Sequence, residues 1–259
     1  MLENLSSFIG LPLLEDNWPR LWSGLLITFE IVITSCSIGF VLAYPLCLAR
    51  MSKNWVLSKA VLGYVTLFRG TPLLCQLYLV YYGAGQIRPF LTDIGLWTFF
   101  REAYFCCLLA FTLNTAAYQS EIFRGALSAV PKGQVEAARA LGLSSFAITR
   151  HVIFPQALLV AIRPLGNEVI GIIKASALSA IVTLPDLMGA TRTVYSHTFD
   201  FQIYLYCALI YLALTETIRR VLLVVEARYS RHLHVTASAA VAAPKQRWGR
   251  ARQVTPQTP

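Results

Sequence analysis

Long stretches of this chain carry almost no charge, and that property limits its fold more than any other. Charged residues make up 14% of the 259 and apolar ones 56%, where a soluble protein carries roughly 25% charge. Such a sequence has too little polar surface to cover the exterior of a soluble enzyme. A disordered chain, a collagen-like chain and a charged coiled coil are excluded on the same grounds. The reading is an integral membrane protein.

A hydrocarbon core takes about 20 helical residues. Five stretches supply that length, at residues 21–49, 60–83, 103–123, 154–174 and 203–225. All are read as helices, because an open sheet edge cannot sit in lipid and no stretch alternates as a barrel strand would. The expected fold is all-α with about five transmembrane helices. The transmembrane domain is placed at 21–232, after an N-terminal segment at 1–20. Glu3, Glu15 and Asp16, with no basic stretch, make that segment unlike a cleaved signal peptide. Residues 233–259 are small, basic and proline-containing, and are expected to be a disordered tail.

The net charge is +9. The cations cluster between the apolar spans, which speaks for a membrane surface and against nucleic acid. Fifteen of the 22 Lys and Arg lie in loop 50–59, segment 124–151 and the chain from 219 onward, and five lie in the opposite loops. The positive-inside rule then puts the N-terminus outside the cell and the tail in the cytoplasm, read either as a solvated tail without a role or as one whose cations touch anionic lipid. The six cysteines lie in apolar stretches without a CxxC and read as small buried hydrophobes.

No Gly-rich stretch ends in Gly-Lys-Ser/Thr, and no HExxH, GxSxG or dinucleotide fingerprint occurs. The chain is expected to be no enzyme and to bind no cofactor or metal itself. Segment 130–155 is more informative. Pro131 opens the helix-forming run Gln134–Leu141, Gly142 is placed to end it, and a second helical stretch at Phe146–Ile153 runs toward Pro155. This reads either as a helix–turn–helix projecting from the membrane or as an amphipathic loop lying on it.

Polar residues inside the spans are functional candidates by default. Glu30 is read as a pairing residue or one near an interface, and Glu121 with Arg124 as an internal pair. Arg69, before Gly70 and Pro72, is expected at a helix end or in a re-entrant segment. Asn114 and Thr115 are read either as interhelical hydrogen-bonding groups or as part of a substrate path. Glu168, after Pro164 and Gly166, is read either as the carboxylate best placed to face that path or as a residue that only bridges helices.

Glu136-Ala137-Ala138, then Gly142, then Val152-Ile153-Phe154-Pro155, resembles the EAA loop of bacterial ABC importer permeases. Arg69-Gly70-Thr71-Pro72-Leu73-Leu74, Ala110–Tyr118, Glu121–Ala126 and Gly166-Asn167-Glu168 resemble segments of the polar amino-acid branch. Ala175–Leu178 and Thr183–Leu187 look most like the M subunit of histidine and opine permeases. Leu159 and Ala175 depart from that pattern, where Arg and Asp are usual, and Arg163 lies one turn beyond Leu159.

The resemblance implies a type I ABC importer permease in the bacterial inner membrane, taking up a polar, preferably cationic, amino acid or opine. It implies that Glu136, Ala137, Ala138, Gly142 and Pro155 couple the chain to a cytoplasmic ATPase, which would hold ATP and Mg. A second, different permease subunit and a periplasmic solute-binding protein complete the implied assembly. An ion-coupled secondary transporter is the alternative, and the absence of an internal repeat counts against it.

Overall fold

The computed structural model describes residues 11–230. The expected tail at 233–259 lies outside them, as does the beginning of the N-terminal segment. Among the described residues the chain is helical, without strands. In chain order the helices are α1 (Leu11–Arg50), α2 (Trp55–Gly70), α3 (Leu73–Gln86), α4 (Arg88–Asp93), α5 (Trp97–Phe100) and α6 (Ala103–Ser128). They continue as α7 (Lys132–Ala140), α8 (Ser145–Ile148), α9 (Phe154–Ser176), α10 (Leu187–Thr198) and α11 (Gln202–Ser230). Helix occupies each of the five expected spans, but three differ from the sequence reading in instructive ways.

The first helix begins earlier than expected. Residues 11–20 are the opening turns of a 40-residue α1, which at 1.5 Å per residue runs about 60 Å, roughly twice a hydrocarbon core. Residues 60–83 are not one span but two helices. Pro72 cannot donate to the ladder and drives the residue before it out of the helical region. Thr71 accordingly sits at φ −114°, ψ 146°, and α3 restarts from Pro72.

The span expected at 154–174 is longer. From Ser145 the chain runs through α8, a π turn at Thr149–Ile153, α9 and a 3-10 turn at Ala177–Val182. The second helical stretch therefore does not stop at Pro155 but continues through it. Pro155 lacks the N–H that an α-helix would use at that point, and the wider turn, closed from the Phe154 N–H to the Thr149 carbonyl, passes it. Leu13–Arg50 and Ser145–Val182, 38 residues each, are long and apolar enough to cross a membrane as single helices.

The core lies where α1, α3, α6 and α9 meet. Ile31, Val32, Leu77, Phe111, Ile172 and Ile173 are buried there. α1 packs most extensively on α6, and Gly39 makes the approach close: a Cβ on it would lie 2.5 Å from Thr115 Cγ2. At one end of the bundle, Asp186 caps α10 by accepting from the Gly189 N–H at 2.9 Å. Thr28 Oγ1 of α1 accepts from the Leu187 N–H at 3.1 Å. The two bonds seat α10 against α1.

Several charged side chains in the bundle are paired. Glu121 accepts from Arg124 at 2.7 Å and also faces Arg50. Glu30 Oε1 accepts from the Tyr104 hydroxyl at 2.9 Å. Arg163, one turn beyond the apolar Leu159, pairs across to Glu226 of α11 at 2.6 Å.

Candidate functional site

The break between α2 and α3 leaves carbonyls of the last turn of α2 without helical donors. Side chains answer them. The Thr71 hydroxyl donates to the Leu67 carbonyl at 2.7 Å. Gln76 Nε2 donates to the Phe68 carbonyl at 2.9 Å and shares its hydrogens with the Thr71 carbonyl at 3.1 Å and the Thr71 hydroxyl at 2.8 Å. From α6, Asn114 Nδ2 donates to the same Phe68 carbonyl at 3.2 Å and to Gln76 Oε1 at 3.0 Å. A chain corner that proline would otherwise leave unsatisfied is thereby fixed to α6.

Beside this corner opens a cavity of about 530 Å³. Arg69, Gly70, Thr71, Pro72 and Leu73 line it from the corner, Asn114 and Tyr118 from α6, and Glu168, Gly171, Ile172 and Ala175 from α9. The Arg69 guanidinium lies 5.0 Å from the centre of the Tyr118 ring, a cation–π distance. One cavity thus holds a guanidinium and a carboxylate, in the size range of small-molecule sites. At Gly171 a Cβ would meet nothing within 4 Å, so no side chain narrows that wall.

Of the three residues expected on a substrate path, Asn114 and Glu168 line this cavity. Thr115 does not. One residue further round α6, it is fully buried on the seam with α1, where its hydroxyl accepts from Gln119 at 3.0 Å. Arg69 is at a helix end, as one of its two readings had it, and also belongs to the cavity. Neither Tyr118, which lines the cavity, nor Gln76, which holds the corner, was singled out in the sequence. A glutamine one turn after Pro72 in a largely apolar helix was the available signal for Gln76.

The second candidate region lies at α7. Pro131 precedes the helix and Gly142, at φ +76°, follows it. The Leu143 N–H reaches the Ala138 carbonyl at 3.2 Å and the Gly142 N–H the Arg139 carbonyl at 2.9 Å, the paired bonds of a glycine-terminated helix. Ser144 then caps α8 by accepting from the Ala147 N–H. Val135 packs on the apolar cluster of Ala126, Val130, Ala157 and Ala161, and Gln156 bonds Gln134 of α7.

So anchored, the turn exposes Leu141 at 81% and Phe146 at 76%. Glu136, Ala137, Gly142 and Pro155 are exposed, whereas Ala138 is buried. Leu141, just past α7, and Phe146, on α8, thus present two bulky apolar side chains at the turn, while Ala138 faces inward.

The profile of the family of binding-protein-dependent transport system inner membrane components matches residues 35–231. The chain is 40% identical to the nopaline transport system permease protein NocM of Agrobacterium fabrum, over 92% of this chain and 98% of that one. It is 39% identical to the octopine transport system permease protein OccM of Rhizobium meliloti, over 82% and 87%. It is 36% identical to the histidine/lysine/arginine/ornithine transport system permease protein HisM of Escherichia coli, over 85% and 96%. Among solved structures it is similar to an amino acid ABC transporter described with histidines, at a TM-score of 0.74 and 32% identity, over 83% of this chain and 96% of that one. The chain belongs to the family of binding-protein-dependent transport system inner membrane components.

Proposed function

We propose that this membrane-spanning permease subunit passes a cationic amino acid or an opine through the cavity at the α2–α3 corner. The observation that supports the reading is the meeting of Glu168, Arg69 and Asn114 in one cavity of the bundle. An amino acid carries both charges, and in a low-dielectric interior each needs a partner. Glu168 receives the cationic group and Arg69 the carboxylate. The relatives named for nopaline, octopine and basic amino acids carry ligands of that class.

The chain works with a cytoplasmic ATPase, which holds ATP and Mg and seats on Glu136–Gly142 and the exposed Leu141 and Phe146. A binding protein delivers substrate on the other side, and a second, homologous but different permease completes the path. The N-terminus lies in the periplasm and the C-terminus in the cytoplasm. Nucleotide-driven closure of the ATPase moves the rigid α7 and, through α9, the wall that carries Glu168.

The test is Glu168→Gln, which keeps the shape and removes the charge. Uptake of arginine by the reconstituted importer is expected to fall at least about tenfold, as loss of a charge-assisted bond implies, with protein level and subunit assembly unchanged. Unaltered arginine and histidine uptake in that variant would remove the cavity from the path.

A further inference from the structure

Gln76 is 9% exposed and joins the corner to the cavity through one carboxamide. Its orientation is dictated by chemistry. Backbone carbonyls only accept, so the end of Gln76 that faces the Phe68 and Thr71 carbonyls, at 2.9 and 3.1 Å, is the amide nitrogen. Its oxygen must then face the other way, toward Asn114. Asn114 is bound by the same logic: its nitrogen faces the Phe68 carbonyl at 3.2 Å and the Gln76 oxygen at 3.0 Å. Turning either amide over would set oxygen against oxygen.

Both N–H groups of Asn114 are therefore committed inside the protein. What Asn114 has left to offer the cavity is its carbonyl oxygen, an acceptor, and Glu168 on α9 is an acceptor as well. The permanently charged donor is Arg69, at the corner. The cavity is thus polarised, with acceptors from α6 and α9 and a cation at the α2 end.

We propose that Gln76 is a positioning residue for substrate selection. By locking the Asn114 amide it makes the cavity select a ligand bearing a cationic N–H group, a guanidinium or ammonium, over a neutral ligand of the same shape. The proposal rests on the reading that substrate passes this cavity. Gln76→Met keeps the side-chain length and removes the lock, leaving one bond of 3.2 Å to resist rotation of Asn114. The freed amide then presents N–H or C=O as the ligand requires.

The experiment compares initial uptake of L-arginine and L-citrulline, near-isosteres that differ in charge, by the complete reconstituted importer. The binding protein is the same throughout, so a change in the arginine-to-citrulline ratio belongs to the permease. In Gln76→Met the ratio is expected to fall about tenfold, the size of one charge-assisted hydrogen bond. If both rates fall together and the ratio holds, Gln76 only staples the corner and the proposal is overturned. A ratio that falls in Glu168→Gln but not in Gln76→Met overturns this proposal and leaves the cavity as the path. A ratio unmoved in both removes the path reading and this proposal with it. Should Gln76→Met fail to assemble with its partners, Gln76→Asn, whose carboxamide is drawn back by one methylene, is measured against the same outcomes.

Discussion

Gly39 shows how much a single hydrogen can decide. Its neighbour across the seam is Thr115 Cγ2, so a larger side chain must push α1 away from α6. Gly39→Val is expected to cost about 1–3 kcal/mol by overpacking, seen as a lower unfolding midpoint of the detergent-solubilised importer. Gly63→Val is the control, because a Cβ there meets nothing within 4 Å. Equal midpoints for the two variants would show that the seam yields freely. The same seam explains Thr115. A polar residue in a span invites a functional reading; here its methyl group packs on the seam, while its hydroxyl bonds Gln119 of its own helix and the Glu168 side chain of α9. Its neighbour Asn114 reaches the cavity because one step along an α-helix turns the side chain by about 100°. Sequence marks both residues as polar and in the membrane, and the facing of α6 separates them.

Short elements were the more legible where their signals are local. Pro131 and Gly142 bracket α7 in the sequence as they do in the structure, because capping depends on a few consecutive residues. The network of Gln76 with Asn114 was not legible, since it depends on groups brought together by folding, whereas Pro155 marks the place of the π turn without fixing the width of the turn that passes it. Asn114 and Gln76 are 38 positions apart. The geometry of α7 also predicts where a partner touches. In the assembled importer, Leu141→Cys is expected to crosslink to cysteines on the ATPase surface, while Ala138→Cys, only 6% exposed, is not. Crosslinking from Ala138→Cys and none from Leu141→Cys would reverse the docking face.

At the start of α10, burial pushes the Asp186 carboxyl up to about 6, outweighing the bonds from the Gly189 and Met188 N–H groups that pull it down. Asp186 therefore holds its proton more tightly folded than unfolded. Its contribution favours the fold below about 4, the usual carboxylate value, and is lost as pH rises through about 6. Asp186→Asn keeps a capping oxygen without titrating, so the change in unfolding midpoint between pH 5 and pH 7 should shrink in that variant. An identical change in both proteins would deny the carboxyl that role.

Across the whole molecule, α9 connects the two candidate regions: Pro155 stands at its foot beside the exposed turn, and Glu168 lies further along toward the cavity. On the proposed function, a push on α7 reaches the cavity wall along α9, and the π turn bears on its direction. A π turn is an α-helix holding one surplus residue. Deleting one residue, His151 for instance, would close that turn at α-helical width, leave its flanks nearly in phase, and press the Pro155 ring against the carbonyl one turn before it, so that the helix kinks there. The expected result is a chain that still inserts and keeps its cavity but no longer couples ATP hydrolysis to uptake. Full uptake by the deletion variant would mean that the angle is immaterial. The surplus residue acts as a relief cut into a rod: it lets the proline pass without bending the rod, and a bent rod slips past its load instead of driving it.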